Sequence, residues 1–213
     1  MYLNLFYGFI FLTGVFFLLE YRYNIGKAAK LSKNARYPAS PDEFSGILIP
    51  NEWKEMQPLS IHSKSFLKVK WGTVAALLFS VLLLVISLTS DQFDNAFLSV
   101  AYLFFVIVES IQHPGNLYIV DKGIILNGRY VPAYQITSYR TEKIVRWHTY
   151  YGLDARVDNG FILKFSVKRS WFKNNFVVIE SLSQLEAITA MLDEYGITGV
   201  HKEEQQKTAP ANG

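Results

Sequence analysis

"IQHPGNLYIVDKGIILNGRYVPAYQI", Ile111 to Ile136, is the stretch on which the reading of the fold turns. Immediately upstream, "AFLSVAYLFFVIVES" reads as a helix made for lipid. Downstream of His113-Pro114-Gly115-Asn116 the pattern becomes that of a half-buried sheet. "LYIVD" has strand residue types, and Asn127-Gly128 between two apolar runs is a strong hairpin signal. A sheet domain thus begins within a few residues of an apparent membrane span.

The sheet pattern continues toward the C-terminus. In "GFILKFSVK", Phe161, Leu163, Phe165 and Val167 alternate with Lys164, Ser166 and Lys168, and Ile162 shares the polar side. Asp158-Asn159-Gly160 precedes it as a turn, and "NFVVIE" follows as another strand after the polar turn "KRSWFKN". One or two further strands are expected between Ile136 and Tyr151, including "KIVRWHTYY". The period then changes. Leu182, Leu185, Ile188, Leu192 and Tyr195 fall at helical spacing, with Ser183 and Glu186 as a capping box and Gly196 as the terminating glycine. Residues 117–199 therefore predict antiparallel strands followed by one amphipathic helix, and residues 200–213 read as a disordered tail.

Toward the N-terminus stand two more apolar blocks. Tyr2–Leu19 has only Asn4 and Thr13 as clearly polar residues, and its eighteen residues would span about 27 Å as a helix. "MYLN" lacks the positive start of a signal peptide, and no small-residue cleavage site follows, so an uncleaved anchor is expected. Trp71–Ser90 carries no charge, and Ala96–Gln112 carries only Glu109. The expected organisation is a transmembrane helix over 1–20, a cytoplasmic basic linker over 21–70, and a transmembrane hairpin over 71–113 with spans at 71–90 and 96–112. Arg22, Lys27, Lys30, Lys33 and Arg36 follow the first block, Lys64, Lys68 and Lys70 precede the second, and the turn near Asp91 and Asp94 has no cation. By the positive-inside rule the N-terminus would lie outside and the C-terminal domain in the cytoplasm of a bacterial inner membrane. Gly72, Ala76 and Ser80 form a small-residue stripe suited to helix packing. Residues 37–58, with four prolines, read as an irregular loop that packs through Ile47, Leu48, Ile49 and Trp53.

Composition narrows the chemistry. Of 213 residues 50% are hydrophobic and only 18% charged, and a net charge of +3 gives no support to nucleic-acid binding. Cysteine is absent, which removes disulfides, thiolate metal sites and thiol nucleophiles. The four histidines have no metal-ligand spacing, and no phosphate-loop, dinucleotide or nucleophile-elbow motif is present. Asp154 and Asp158 read as turn residues. No catalytic residue, metal or cofactor is assigned, and the expectation is a protein that is not an enzyme. One cluster suggests a surface role: Lys168, Arg169 and Lys173 surround Trp171, cations beside an aromatic that suit an anionic lipid surface.

The strand order and the run "DKGIILNGRYVPAYQI" resemble the pleckstrin-homology-like domains of small bacterial membrane proteins. Gly123-Ile124 and Val131-Pro132 with Ile136 carry the likeness, and Ala133 stands where those domains usually have an aromatic. The resemblance implies an antiparallel β-sheet or open barrel closed by a C-terminal helix; with the three apolar blocks, the expected fold class is a membrane α + β protein of three transmembrane helices followed by that pleckstrin-homology-like domain. The short link from the third block would hold this domain against the inner leaflet, so the expected role is non-catalytic binding there. The expected partners are the lipid bilayer, anionic headgroups, another membrane protein or a second copy. Protection against a membrane-active peptide, as an immunity or envelope-stress protein, is an alternative. A membrane enzyme or transporter component built on Glu109 ranks last.

Overall fold

The structure, a computed structural model, describes residues 2–50, 53–61, 63–89, 116–168 and 175–201. Helix α1 (Tyr2–Leu31) runs straight through the first apolar block into Glu20, Arg22, Lys27 and Lys30. Helix α3 (Lys64–Thr89) starts where the Ser63 hydroxyl accepts the Phe66 N–H at 3.2 Å, and it carries Lys68 and Lys70 in its first turns. The two pack on each other along small side chains. Ala28 and Ala29 of α1 and Thr73, Ala76 and Ser80 of α3 are buried, together with Leu18, Ile25 and Val69.

This helical pair corrects the membrane reading. Among the described residues no helix is long and apolar enough to cross a membrane. Both helices run on into charged turns instead of ending at the limits of an apolar block. The three transmembrane helices, and the multi-pass inner-membrane location with an outside N-terminus, fall with that finding. The third apolar block, the preceding turn and Glu109 lie outside the described residues.

The strands also depart from one open barrel, because they form two sheets. The first belongs with α1 and α3 in a unit of Met1–Ala39 and Gln57–Tyr130. It holds β2 (Leu117–Val120), β3 (Gly123–Leu126) and β4 (Arg129–Pro132) in that order, the unit boundary falling within β4. Asn127 (φ 52°) and Gly128 (φ 71°) make the turn from β3 to β4 in the left-handed region that this dipeptide favours. β2 exchanges backbone bonds with the residues after α1: the Ile119 N–H donates to the Tyr37 carbonyl and the Arg36 N–H to the Ile119 carbonyl, both at 2.8 Å. The buried Tyr118 hydroxyl accepts the Leu59 N–H at 2.6 Å.

The second unit comprises Ser40–Met56 and Val131–Gly213. Its sheet has the order β1-β7-β6-β5-β8, with β1 (Ile47–Leu48), β5 (Ile136–Lys143), β6 (Phe161–Val167), β7 (Phe176–Ile179) and β8 (Gly199–His201). All pairs are antiparallel except β5 with β8. Residues expected to form an irregular loop thus supply helix α2 (Pro41–Ser45) and the edge strand β1. Ser40 and Glu43 cap α2, and Pro41 stands at its first turn, where no N–H is needed. "KIVRWHTYY" is not a strand: β5 ends at Lys143 and turns follow, the His148 N–H donating to the Val145 carbonyl and the Tyr151 N–H to the His148 carbonyl. Helix α4 (Leu182–Glu194) buries Leu185, Ile188 and Leu192 and packs on β6 and β7. Its N-cap is Ser181, two residues before the expected capping box, and Gly196 (φ 72°) ends it.

Register fixes what each face carries. Ile179, Val177, Leu163, Phe165 and Tyr139 lie on one face with Ile47, the Tyr139 hydroxyl donating to Asp193 Oδ1 on α4 at 2.8 Å. Leu48, Val178, Phe176 and Ile162 lie on the other, where residues 144–160 cover them with Ile144 and Val157. Arg156 ties these pieces together, donating to Glu55 Oε1 and Glu180 Oε2 at 2.7 Å and to the Ser45 carbonyl at 2.8 Å. The pairs are a third to a half exposed, so each is worth less than about 1 kcal/mol; one guanidinium bridging two carboxylates and a carbonyl mainly sets position.

Leu48→Ala should lower the unfolding free energy by about 2–5 kcal/mol in chemical denaturation; a loop residue would change it by less than about 0.5 kcal/mol. Burial pushes the Tyr118 and Tyr139 hydroxyls up to about 12, with the bond to Asp193 adding to the shift of Tyr139. The unfolded chain ionises first as pH rises from about 10, so both contributions are lost between about pH 10 and 12. Tyr139→Phe should flatten that alkaline loss in denaturation curves collected across the range.

Candidate functional site

Residues 144–160 cover only the apolar half of their sheet face. Where the cover stops, a cleft of about 550 Å³ opens above β5 and β6. Ile162, Lys164 and Ser166 of β6 form its floor, with Thr137 and Glu142 of β5 beside them. His148, Thr149, Tyr150, Asn175 and Phe176 complete its lining.

The aromatic wall is held on several sides. The Tyr150 ring stacks on Phe176 at 5.6 Å and an interplanar angle of 15°. It also meets Trp53 at 5.5 Å and His148 at 5.3 Å. Such pairs contribute about 0.5–1.5 kcal/mol each beyond the area they bury. His148 Nδ1 accepts the Tyr150 N–H at 3.1 Å, so a neutral ring carries its proton on Nε2, which stands 3.9 Å from Glu142 Oε1.

Beside Lys164 of the floor the register sets a second cation, Arg140, which is not itself part of the cleft lining. Arg140 and Lys164 are directly opposed in the β5–β6 register, one step from Ser138 opposite Ser166. Residues paired in this way share a sheet face, and like charges so placed are destabilising by about 0.2–1 kcal/mol. Both side chains are exposed, and neither makes an ion pair among the described residues.

The residues singled out in the sequence are distributed elsewhere. Lys168 is exposed just beyond β6, while Arg169, Trp171 and Lys173 lie outside the described residues. Ala76 and Ser80 are buried in the α1–α3 seam with Thr73, whereas Gly72 is only half-buried. Asp154 accepts the Arg156 N–H at 2.8 Å and Asp158 the Gly152 N–H at 2.7 Å, which accounts for both as turn formers. Among the described residues no three His, Asp or Glu side chains gather as metal ligands would.

Two features were missed. One is the Arg140–Lys164 opposition, which exists only through the register. The other is Trp147, 80% exposed on the turn after β5 between exposed Arg146 and the cleft residue His148. Its signal lay in "KIVRWHTYY", where an aromatic follows a cation, but the stretch reads as a strand.

No family model, curated protein or solved structure matches this chain. Functional argument therefore rests on its own residues.

Tyr150→Ala should speed hydrogen exchange at the His148 and Tyr151 amides at least tenfold, because their turn loses its stack. Tyr150→Phe should leave both near wild type.

Proposed function

We propose that this protein is a non-catalytic binding module that docks on an anionic lipid surface. One observation carries the reading: the polarity of the α1–α3 pair is inverted relative to helices that face water. Ala28, Ala29, Thr73, Ala76 and Ser80 are buried with only a few larger residues, Leu18, Ile25 and Val69, while a longer series of large apolar side chains is exposed. Along α1, Phe9, Leu12, Phe16, Leu19 and Tyr23 recur at spacings of one helical face and are all exposed, Phe9 at 70%. Along α3, Leu67, Trp71, Leu78, Leu82 and Val85 do the same, Leu78 at 68%. A water-facing helix hides such a stripe, whereas a lipid-facing one presents it and packs through small residues.

Charge supports an anionic surface over another protein. Arg22 and Lys70 line a notch of about 250 Å³ between the two helices, with Gly26, Val69 and Phe66. Lys27, Lys30 and Lys68 are exposed at the same end. Lys70 Nζ stands 5.9 Å from the Trp71 ring centre, so an aromatic and a cation share the boundary between stripe and basic end. Trp and Tyr favour that position at a lipid surface, and each nearby cation contributes about 1 kcal/mol toward anionic lipid. In the second unit, exposed Trp147 beside Lys143 and Arg146 repeats the combination.

The full chain should float with phosphatidylcholine vesicles containing phosphatidylglycerol and more weakly with phosphatidylcholine alone. Lys68→Glu with Lys70→Glu should weaken the anionic-vesicle association at least tenfold, and Leu78→Asn with Leu82→Asn should weaken association with both. A chain that ignores vesicles and sediments as a dimer with these residues protected would assign the stripe to a second copy and overturn the reading.

A further inference from the structure

We propose that the edge of the β5–β6 cleft is a binding site for a phosphomonoester, whose anionic oxygens bridge Lys164 of the lining and Arg140, which stands opposite Lys164 across the strand seam just outside that lining. The register sets these two cations directly opposite each other, and no carboxylate among the described residues pairs with either. An empty site of this kind is repulsive; an anion lying between the two side chains turns repulsion into two charge-assisted hydrogen bonds.

The surroundings favour an oxyanion with an organic group attached. Ser166 and Thr149 bring hydroxyls to the cleft, and Asn175 brings an amide. Glu142 is the one carboxylate in the lining, and it lies two positions along β5 from Arg140, toward His148. The Tyr150 ring, already fixed between Phe176 and Trp53, offers a flat apolar wall to the ester group. The cleft volume of about 550 Å³ is that of a small-molecule site.

The site is independent of the lipid-docking face, and the two are separable by experiment. The full chain is titrated with inorganic phosphate and with phenyl phosphate, and separately with vesicles containing phosphatidic acid, which offers the same group as a lipid. Affinity is compared across Arg140→Ala, Lys164→Ala, the charge-retaining Arg140→Lys, and Lys68→Ala with Lys70→Ala. We expect saturable binding of phenyl phosphate, tighter than that of inorganic phosphate. It should be weakened at least tenfold by either cleft alanine, largely restored in Arg140→Lys, and unchanged by the α3 pair. Without anion, both cleft alanine variants should melt at or above the wild-type temperature, because the like-charge opposition is gone. Loss of vesicle binding in the cleft variants, without binding of either soluble phosphate, would place the group on a lipid. Equal affinity of wild type and both alanine variants in every arm, or no saturable response in any arm, would overturn the proposal.

Discussion

The pairing of Ile47 and Leu48 with Ile179 and Val178 is the constraint on which the second unit depends. It takes two residues from between α1 and α3 and builds them into a sheet whose other strands lie far along the chain. Ile47 then completes the face under α4, and Leu48 completes the face under residues 144–160. The surrounding bonds follow from it: the Glu180 N–H reaches the Gly46 carbonyl at 3.0 Å, the Met56 N–H reaches the Ile47 carbonyl at 2.8 Å, and Gln184 on α4 donates to the Glu43 carbonyl at 3.0 Å. Trp53, on the same inserted segment, becomes the outer support of Tyr150. Without this edge strand the cover that residues 144–160 form would lack its far side, and the cleft would lack the support of Trp53 behind Tyr150.

The two candidate surfaces arise from opposite uses of side-chain size. In the helical pair, small residues at the seam let two backbones approach, and bulk is displaced outward, where it can act only on something apolar. In the sheet, bulk is drawn inward beneath residues 144–160, and the polar remainder of the face is left open with two cations held side by side. The first arrangement suits an extended, non-directional partner, and the second a small ligand with directed charge.

What was legible in the sequence was local. The Asn127-Gly128 turn, the alternation of Phe161–Val167 and the helical spacing from Leu182 to Leu192 each declare themselves within a few residues, and each is present. What failed needed distant information. A two-residue strand among prolines has no detectable period, and its partner stands 132 residues away at Ile179. The β-forming residues of Ile144–Tyr151 pack as turns because Tyr150 is captured by Trp53 and Phe176, a tertiary override of strand propensity. The apolar blocks disclosed helices but not how their charged turns continue them. The Arg140–Lys164 opposition depends on a register shift between Ile136 and Ser138 in β5, which no pattern along one strand reveals.

The most direct test of this architecture uses the chain's lack of cysteine. Ile47→Cys together with Ile179→Cys places two thiols at an opposed antiparallel pair whose Cβ atoms are close enough for a disulfide. On mild oxidation of the folded protein the account predicts near-complete cross-linking within one chain, and none for Ile47→Cys with Thr141→Cys, which lies three strands away in the sheet. Failure of the 47–179 pair to link, with both thiols reactive to a soluble reagent, would show that residues 40–56 are not built into the C-terminal sheet and would contradict the account.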